Sequence, residues 1–167
     1  KELQRELQGL VAALTLADDD HRRANLEAVR HKMVPASMRL QIAPAQAMDR
    51  VASAPSAQVY FHYPVDGMRV PERFTVKIGL KEMGVAPAGV VKPFTGHHHL
   101  LIDTDMVPLD QPIPSDYNHI HLGGGQTEVV LTLPQGTHTL QLLLGDHQHV
   151  AHQPPIMSKK ITITVKE

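Results

Sequence analysis

From residue 58 onward, the apolar residues recur at every second position rather than at every third or fourth. The clearest example is Ile161, Ile163 and Val165, which alternate with threonines as expected for a strand with one buried face. Five other short runs of β-branched or apolar residues are bounded by Gly, Pro or Asp. The six predicted strands are residues 58–63, 73–80, 98–103, 127–133, 138–144 and 160–166.

These short strands, with no helical pattern between them, predict a mainly β domain over residues 58–167. We expect an immunoglobulin-like antiparallel β-sandwich, although an eight-stranded Greek-key barrel would produce nearly the same pattern. The composition of residues 63–67 and 123–125 predicts turns, and residues 133–137 are predicted to be a hairpin connection. Strand order is left open.

The first 57 residues have a different pattern. Leu3, Leu7 and Leu14 recur at helical spacing, and Pro35 ends a second apolar stripe, so residues 1–35 predict an N-terminal α-helical hairpin. Residues 36–57 are rich in Ala, Pro, Ser and Gln and predict a linker, with residues 38–42 as a candidate short strand. The two helical stripes are narrow and need a partner, so we expect the hairpin to pack, to form a homodimer or to bind another protein.

Composition excludes several classes of function. The 16 Lys and Arg residues nearly balance 17 Asp and Glu residues without a basic cluster, so no nucleic acid partner is expected. No apolar run approaches the ~18 residues of a membrane span, so none is predicted. Because the chain has no Cys, disulfides, thiolate metal sites, iron–sulfur centres and cysteine nucleophiles are excluded.

Histidine is the residue type that points to chemistry. Of the 12 histidines, nine fall between residues 97 and 152, and six of these form three His-x-His pairs. In an extended strand, residues i and i+2 point to the same side, so each pair would present two imidazoles together. Imidazole is a good ligand for copper and zinc. The sequence therefore predicts a copper or zinc ion held by a histidine cluster. The candidate ligands are His97, His99, His119, His121, His138, His149 and His152.

Other residues near the cluster have two interpretations each. His98 would face away from its two neighbours, as either a buried hydrogen-bonded residue or a ligand. Asp103, Asp116 and Asp146 could orient imidazoles by accepting the second ring N–H, or could serve as turn and capping residues. Three methionines could supply thioether ligands to Cu(I), or could pack in the core. They are Met83, Met106 and Met157.

Several motifs occur together in a pattern that resembles the bacterial domain of unknown function 4399 family. They are residues 96–103, 119–128, 136–142 and 149–155, within a resemblance that covers residues 58–166. His147 is the weakest match to the family pattern, and Leu122 replaces a usual Phe. The resemblance implies a small exported or periplasmic protein of Gram-negative bacteria and supplies no established activity. The helical hairpin lies outside it.

Three functions remain open at this stage. The first is a periplasmic protein that binds, carries or buffers copper or zinc. Because protons compete with the metal for the imidazole nitrogens, the affinity for the ion is expected to weaken as pH falls through ~6.5. The second is a non-catalytic immunoglobulin-like interaction module with structural histidines. The third is a metal-dependent redox enzyme, because the His-x-His pairs superficially resemble those of copper–zinc superoxide dismutases, although the other motifs of that family are missing.

Overall fold

A computed structural model describes residues 48–167. The predicted helical hairpin at residues 1–35 and the candidate strand at residues 38–42 lie outside this part of the chain. Residues 48–167 form a mainly β structure of nine strands without an α-helix, which confirms the predicted class. They are β1 (Gln58–Tyr63), β2 (Arg69–Pro71), β3 (Arg73–Lys81), β4 (Gly84–Val85), β5 (Thr95–Ile102), β6 (His119–Leu122), β7 (Glu128–Thr132), β8 (Gly136–Gly145) and β9 (Ile161–Lys166).

The six predicted strands correspond to β1, β3, β5, β7, β8 and β9, with ends that differ by at most three residues. The prediction did not include β2, β4 and β6, which have only 3, 2 and 4 residues. Such segments are too short for an alternating pattern to be distinguished from loop sequence. None of the described residues belongs to a helix with the length and apolarity needed to cross a membrane.

The strands form two sheets. The first has the order β1-β3-β7, and the second has the order β2-β9-β8-β5-β4, with β6 also paired to β5. Most pairs are antiparallel, but β2 pairs with β9 and β4 pairs with β5 in parallel. The predicted antiparallel pairing is therefore confirmed for most strand pairs and is wrong for these two. Short strands that enter from long loops can align with either polarity, because no tight hairpin fixes their direction.

Residues 133–137 do not form the predicted hairpin. The strand before them, β7, pairs with β3 in the first sheet, whereas β8 pairs with β5 and β9 in the second. The segment therefore connects the two sheets. Its Pro-Gln-Gly composition correctly indicates a change of direction, but turn chemistry is local and does not specify which sheet receives the next strand.

Both sheets contribute to one main hydrophobic core. Val76 on β3 packs in the same cluster as Leu142 on β8 and Ile163 on β9, and all three are fully buried. A second, smaller core lies on the other side of β5, where Leu101 clusters with Leu143 and with loop residues such as Ile113. Because both faces of β5 are covered, this strand is buried along nearly its whole length. The immunoglobulin-like kind of sandwich stays a prediction.

The end of the predicted linker lies against the domain. The Met48 N–H donates to the Asp110 carbonyl at 3.0 Å, and the Ser53 N–H donates to the Gln153 carbonyl at 3.0 Å. Between them, the Arg50 guanidinium donates to the carbonyls of Ala151 and His152. The contacts of Arg50 and Ser53 anchor the loop that follows β8, which is the loop that completes the histidine cluster described next.

Candidate metal centre

Four imidazoles meet on the face of β5 that carries the smaller core. His97 and His99 lie on β5, and His121 on β6 is the cross-strand partner of His99. His149 lies in the loop after β8. The distances between the ring centroids of these four residues range from 4.8 to 6.0 Å. We call this group the histidine centre.

Three of these rings are placed so that they could share one ion. One ring nitrogen from each of His97, His99 and His121 lies within 4.8 Å of the others, and Nε2 of His97 is 3.0 Å from Nε2 of His99. His97 Nδ1, His99 Nδ1 and His121 Nε2 are buried without a hydrogen-bond partner in the described part of the chain. A buried polar atom without a partner costs roughly 1–3 kcal/mol. A metal ion bound through Nε2 of His121 would offset that cost for this ring.

Two glycines make room for the rings. A β-carbon on Gly123 would lie 2.2 Å from Cε1 of His121, and one on Gly145 would lie 2.9 Å from Nε2 of His99. Any side chain at these positions would therefore meet an imidazole of the histidine centre. The sequence predicts only a turn at Gly123 and no role for Gly145, because a close approach between backbone and side chain leaves no signal in a single sequence.

The histidine centre holds His97, His99 and His121 in the neutral form that binds metals. Burial, followed by the neighbouring His149 and His121, lowers the pKa of His97 to about 4. Burial and the adjacent rings lower the pKa of His99 further, to about 2. The pKa of His121 is also lowered, first by burial and then by His149. Because a metal competes with protons for the same nitrogens, these shifts keep the ligands available in mildly acidic solution.

His149 reaches the histidine centre from a turn, not from a strand. Residues 147 and 149 were predicted as an extended His-x-His pair, but they lie in the turn between β8 and the short bridge at Val150. His149 has φ of 67°, in the left-handed region that few residues other than glycine adopt. The turn directs its ring to within 4.8 Å of the His121 ring, centroid to centroid.

The remaining predicted ligands lie elsewhere. The Nδ1 atom of His119 is 2.8 Å from an Asp116 oxygen, while its Nε2 is buried without a partner among residues 48–167. His138 contacts Asp103 through Nδ1 at 2.6 Å and the Pro134 carbonyl through Nε2 at 2.9 Å.

The ring nitrogens of His152 face two backbone carbonyls at the ends of β8 and β5. They lie 3.4 Å from the Leu144 oxygen and 3.2 Å from the Thr95 oxygen. The ligand roles predicted for His119, His138 and His152 stay predictions, because the structure places all three outside the group of three that could share an ion.

Two of the three candidate carboxylates orient imidazoles. Asp116 accepts from His119, and Asp103 accepts from His138 and also from the Thr139 N–H at 2.7 Å. Burial lowers the pKa of His138, but its hydrogen bonds to Asp103 and Pro134 outweigh burial and raise it above the ordinary value. His138 therefore favours the charged form, with both N–H groups donating.

His98 lies on the opposite face of β5. Its cross-strand partners are Leu122 and Leu144, which both belong to the main core, so the prediction that it faces away from His97 and His99 is confirmed. Neither ring nitrogen has a hydrogen-bond partner in the described residues. Burial lowers the pKa of His98 to about 4. The three candidate methionines pack against the two cores rather than standing apart from them.

The structure thus defines a mainly β domain with a buried cluster of imidazoles on one sheet. The family described as "Domain of unknown function (DUF4399)" matches residues 76–166, more than half of the chain. The protein belongs to this family, which confirms the resemblance drawn from its sequence motifs. No curated protein and no solved structure matches the chain. All four residues of the histidine centre lie inside the matched region.

Proposed function

We propose that this protein binds a copper or zinc ion through His97, His99 and His121, with His149 completing the coordination, and that it carries or buffers the ion. One observation supports this proposal above all others. Three imidazoles from two strands, two of them buried and one partly buried, each bring one ring nitrogen within 4.8 Å of the others, and each retains a buried nitrogen without a partner in the described residues.

The chemistry of the donors favours these two ions. All the donors are neutral imidazoles, which suit zinc and copper, whereas calcium and magnesium prefer oxygen ligands. Four imidazoles match the coordination number of zinc, and three would leave one position open. Copper binds such a set more tightly than zinc by the Irving–Williams order, so the ion held in the cell would depend on which one is available.

The burial of the rings suits reversible binding. His97 and His99 are 1% and 0% exposed, whereas His121 and His149 are only partly buried. An ion would therefore reach the two buried rings from the side of His121 and His149. A protein that takes up and releases its ion from this partly exposed side can act as a carrier or a buffer. We further propose an immunoglobulin-like sandwich for the two sheets and an exported, periplasmic location, the latter supported only by the family resemblance.

Titration of the metal-free protein with Cu(II) and Zn(II) tests the proposal. We expect binding by the wild type, loss of binding in the triple variant His97→Ala/His99→Ala/His121→Ala, and unchanged binding in His62→Ala. His62 is an exposed histidine on β1 in the other sheet, so this variant controls for non-specific binding to surface imidazole. Because three buried substitutions could unfold the domain, His121→Ala alone serves as a second variant, and circular dichroism reports the fold.

Two results would overturn the proposal. One is a wild-type Kd weaker than about 1 mM for both ions, which corresponds to only about 4 kcal/mol of binding free energy. The other is a folded His121→Ala variant that binds either ion as tightly as the wild type. Either result would leave the histidines as structural groups of a non-catalytic module.

A further inference from the structure

Asp146 follows β8 directly and is almost completely buried, at 1% exposure. Its Oδ1 accepts the N–H of Gln148 at 2.8 Å and the N–H of Val150 at 3.0 Å. The backbone closes the same turn twice: the Asp146 N–H donates to the Val150 carbonyl at 2.8 Å, and the His149 N–H donates to the Asp146 carbonyl at 3.0 Å. One carboxylate oxygen therefore adds two hydrogen bonds to the two backbone bonds that close this turn.

This turn determines where the His149 ring stands. Its φ of 67° is unfavourable for a residue with a β-carbon and persists only where the surrounding contacts require it. The Oδ1 bonds of Asp146 supply such contacts on both sides of His149. The His149 carbonyl also accepts the Ile113 N–H at 2.8 Å. The turn holds the ring 5.0 Å from that of His97 and 4.8 Å from that of His121.

The second oxygen of Asp146 has a different environment. Oδ2 is buried and has no hydrogen-bond partner among residues 48–167, and the same is true of Nδ1 of His97. His97 is the cross-strand partner of Gly145, so the backbone of Asp146 follows directly on the residue opposite His97. Burial and two neighbouring histidines lower the pKa of His97, and the charge of Asp146 acts in the opposite direction. A carboxylate oxygen and an imidazole nitrogen are thus both left unsatisfied in the same region.

The tautomer of His97 connects these two atoms. Nε2 of His97 faces Nε2 of His99 at 3.0 Å, so Nε2 is the nitrogen on the side of the histidine centre. An imidazole that binds a metal through Nε2 carries its proton on Nδ1. That Nδ1–H then needs an acceptor, and metal-bound histidines usually donate this proton to a carboxylate or a carbonyl.

We propose that Asp146 is the positioning residue of the histidine centre: Oδ1 holds the turn that carries His149, and Oδ2 accepts the Nδ1–H of His97 when Nε2 of His97 binds the ion. This inference rests on the proposed function. The buried side chain of Asp146 would thus fix the positions of two rings, that of His97 on β5 and that of His149 in the turn after β8.

The variant Asp146→Asn tests the inference, because the amide keeps an oxygen acceptor for the turn but replaces Oδ2 with an N–H donor. Asp116→Asn is the matched control. The Oδ1 of Asp116 accepts the N–H of Asn118 at 2.9 Å and of His119 at 3.0 Å, in a similar turn beside a histidine outside the centre. For each protein, the Cu(II) affinity and the electron paramagnetic resonance spectrum of the bound Cu(II) are measured, together with the melting of the metal-free form.

We expect Asp146→Asn to bind Cu(II) about 10–100-fold more weakly than the wild type, with an altered spectrum, and Asp116→Asn to match the wild type. If the wild type binds Cu(II) and Asp146→Asn keeps both its affinity and its spectrum, the inference is wrong and the proposed function stands. If the wild type binds neither Cu(II) nor Zn(II), the proposed function itself fails.

A second measurement needs no variant and so does not depend on folding of Asp146→Asn. In the Zn(II)-loaded wild type, nitrogen-15 spectra of the imidazoles report which nitrogen of His97 carries the proton. We expect a proton on Nδ1, protected from solvent exchange by its bond to Asp146. Coordination through Nδ1, or an Nδ1–H that exchanges freely with water, would contradict the inference.

Discussion

Replacing Gly123 with Ala should remove His121 from the histidine centre without unfolding the domain. A β-carbon at Gly123 would lie 2.2 Å from Cε1 and 2.3 Å from Nε2 of His121. Ordinary contacts begin at 3.4 Å, so the His121 ring would have to move by about 1.2 Å, the difference between 3.4 and 2.2 Å. Metal–ligand distances in proteins tolerate only about 0.2 Å, so the displaced ring would no longer bind the ion shared with His97 and His99.

The expected loss of affinity is large. Changes to groups that merely orient a ligand cost about 10–100-fold, so displacement of a ligand itself should cost at least about 100-fold, or about 3 kcal/mol of binding free energy. Isothermal titration with Zn(II) or Cu(II) measures this loss, and thermal melting of the metal-free protein reports stability. Gly123 has no positive φ that would add backbone strain to the substitution.

Gly124→Ala is the matched control for this experiment. The atoms nearest to its β-carbon would belong to the exposed side chain of Gln126, the nearest at 3.1 Å, and this flexible amide can move aside. We expect Gly124→Ala to retain the wild-type affinity. If Gly123→Ala is folded and also binds with the wild-type affinity, then the placement of His121 against the Gly123 backbone does not matter for the ion, and the reasoning is refuted.

Four further predictions follow from the same environments. His98→Leu should raise the free energy of unfolding by about 1–3 kcal/mol in urea titrations, because it removes buried nitrogens that have no partner in the described residues; a loss of stability would contradict this. His149→Gly should raise the melting temperature of the metal-free protein, because a residue with a β-carbon at this left-handed φ has a penalty of about 1 kcal/mol that glycine avoids. The same variant should weaken metal binding, because it removes the imidazole. Since burial lowers the pKa of His97 to about 4, protons should compete with the metal for this buried ring at a lower pH than for free imidazole. Metal titrations at a series of pH values should therefore place the loss of affinity below pH 6.5, and a steep loss centred at pH 6.5 would contradict this. NMR titration should give His138 a pKa above 6.5, because its hydrogen bonds favour the charged ring. The charged His138 ring therefore adds its full share to the free energy of unfolding below pH 6.5, and this share is lost as the pH rises through the pKa of the folded state. Asp103→Asn should abolish this pH dependence of stability.

The pH prediction differs from the one made from the sequence, and the reason is burial. A free imidazole titrates near pH 6.5, so the sequence predicts weakening of metal binding through that pH. His97 and His99 are 1% and 0% exposed, and desolvation of the charged ring moves protonation to lower pH. Exposure depends on which loops cover β5, and these loops have no regular pattern from which their position could be predicted.

Local periodicity was sufficient for much of the fold and for part of the site. Alternation predicted six of the nine strands in residues 48–167, and the spacing of His97 and His99 placed both rings on one face of β5, with His98 on the other. These features depend only on the two-residue repeat of a strand, which is a property of neighbouring residues. Zero Cys likewise restricted the metal ligands to imidazole, carboxylate and thioether.

Tertiary structure alone decided which distant histidines meet. His119 and His121 share one face of β6, but pairing in register places His121 opposite His99 and His119 opposite Leu101. His149 joins the cluster because Asp146 holds a turn with φ of 67° at the histidine, whereas the His-x-His spacing by itself predicts an extended pair. The rings fit because Gly123 and Gly145 leave space for them. Register, turn closure and close approach each depend on residues far apart in the chain, so no pattern within a single segment encodes them.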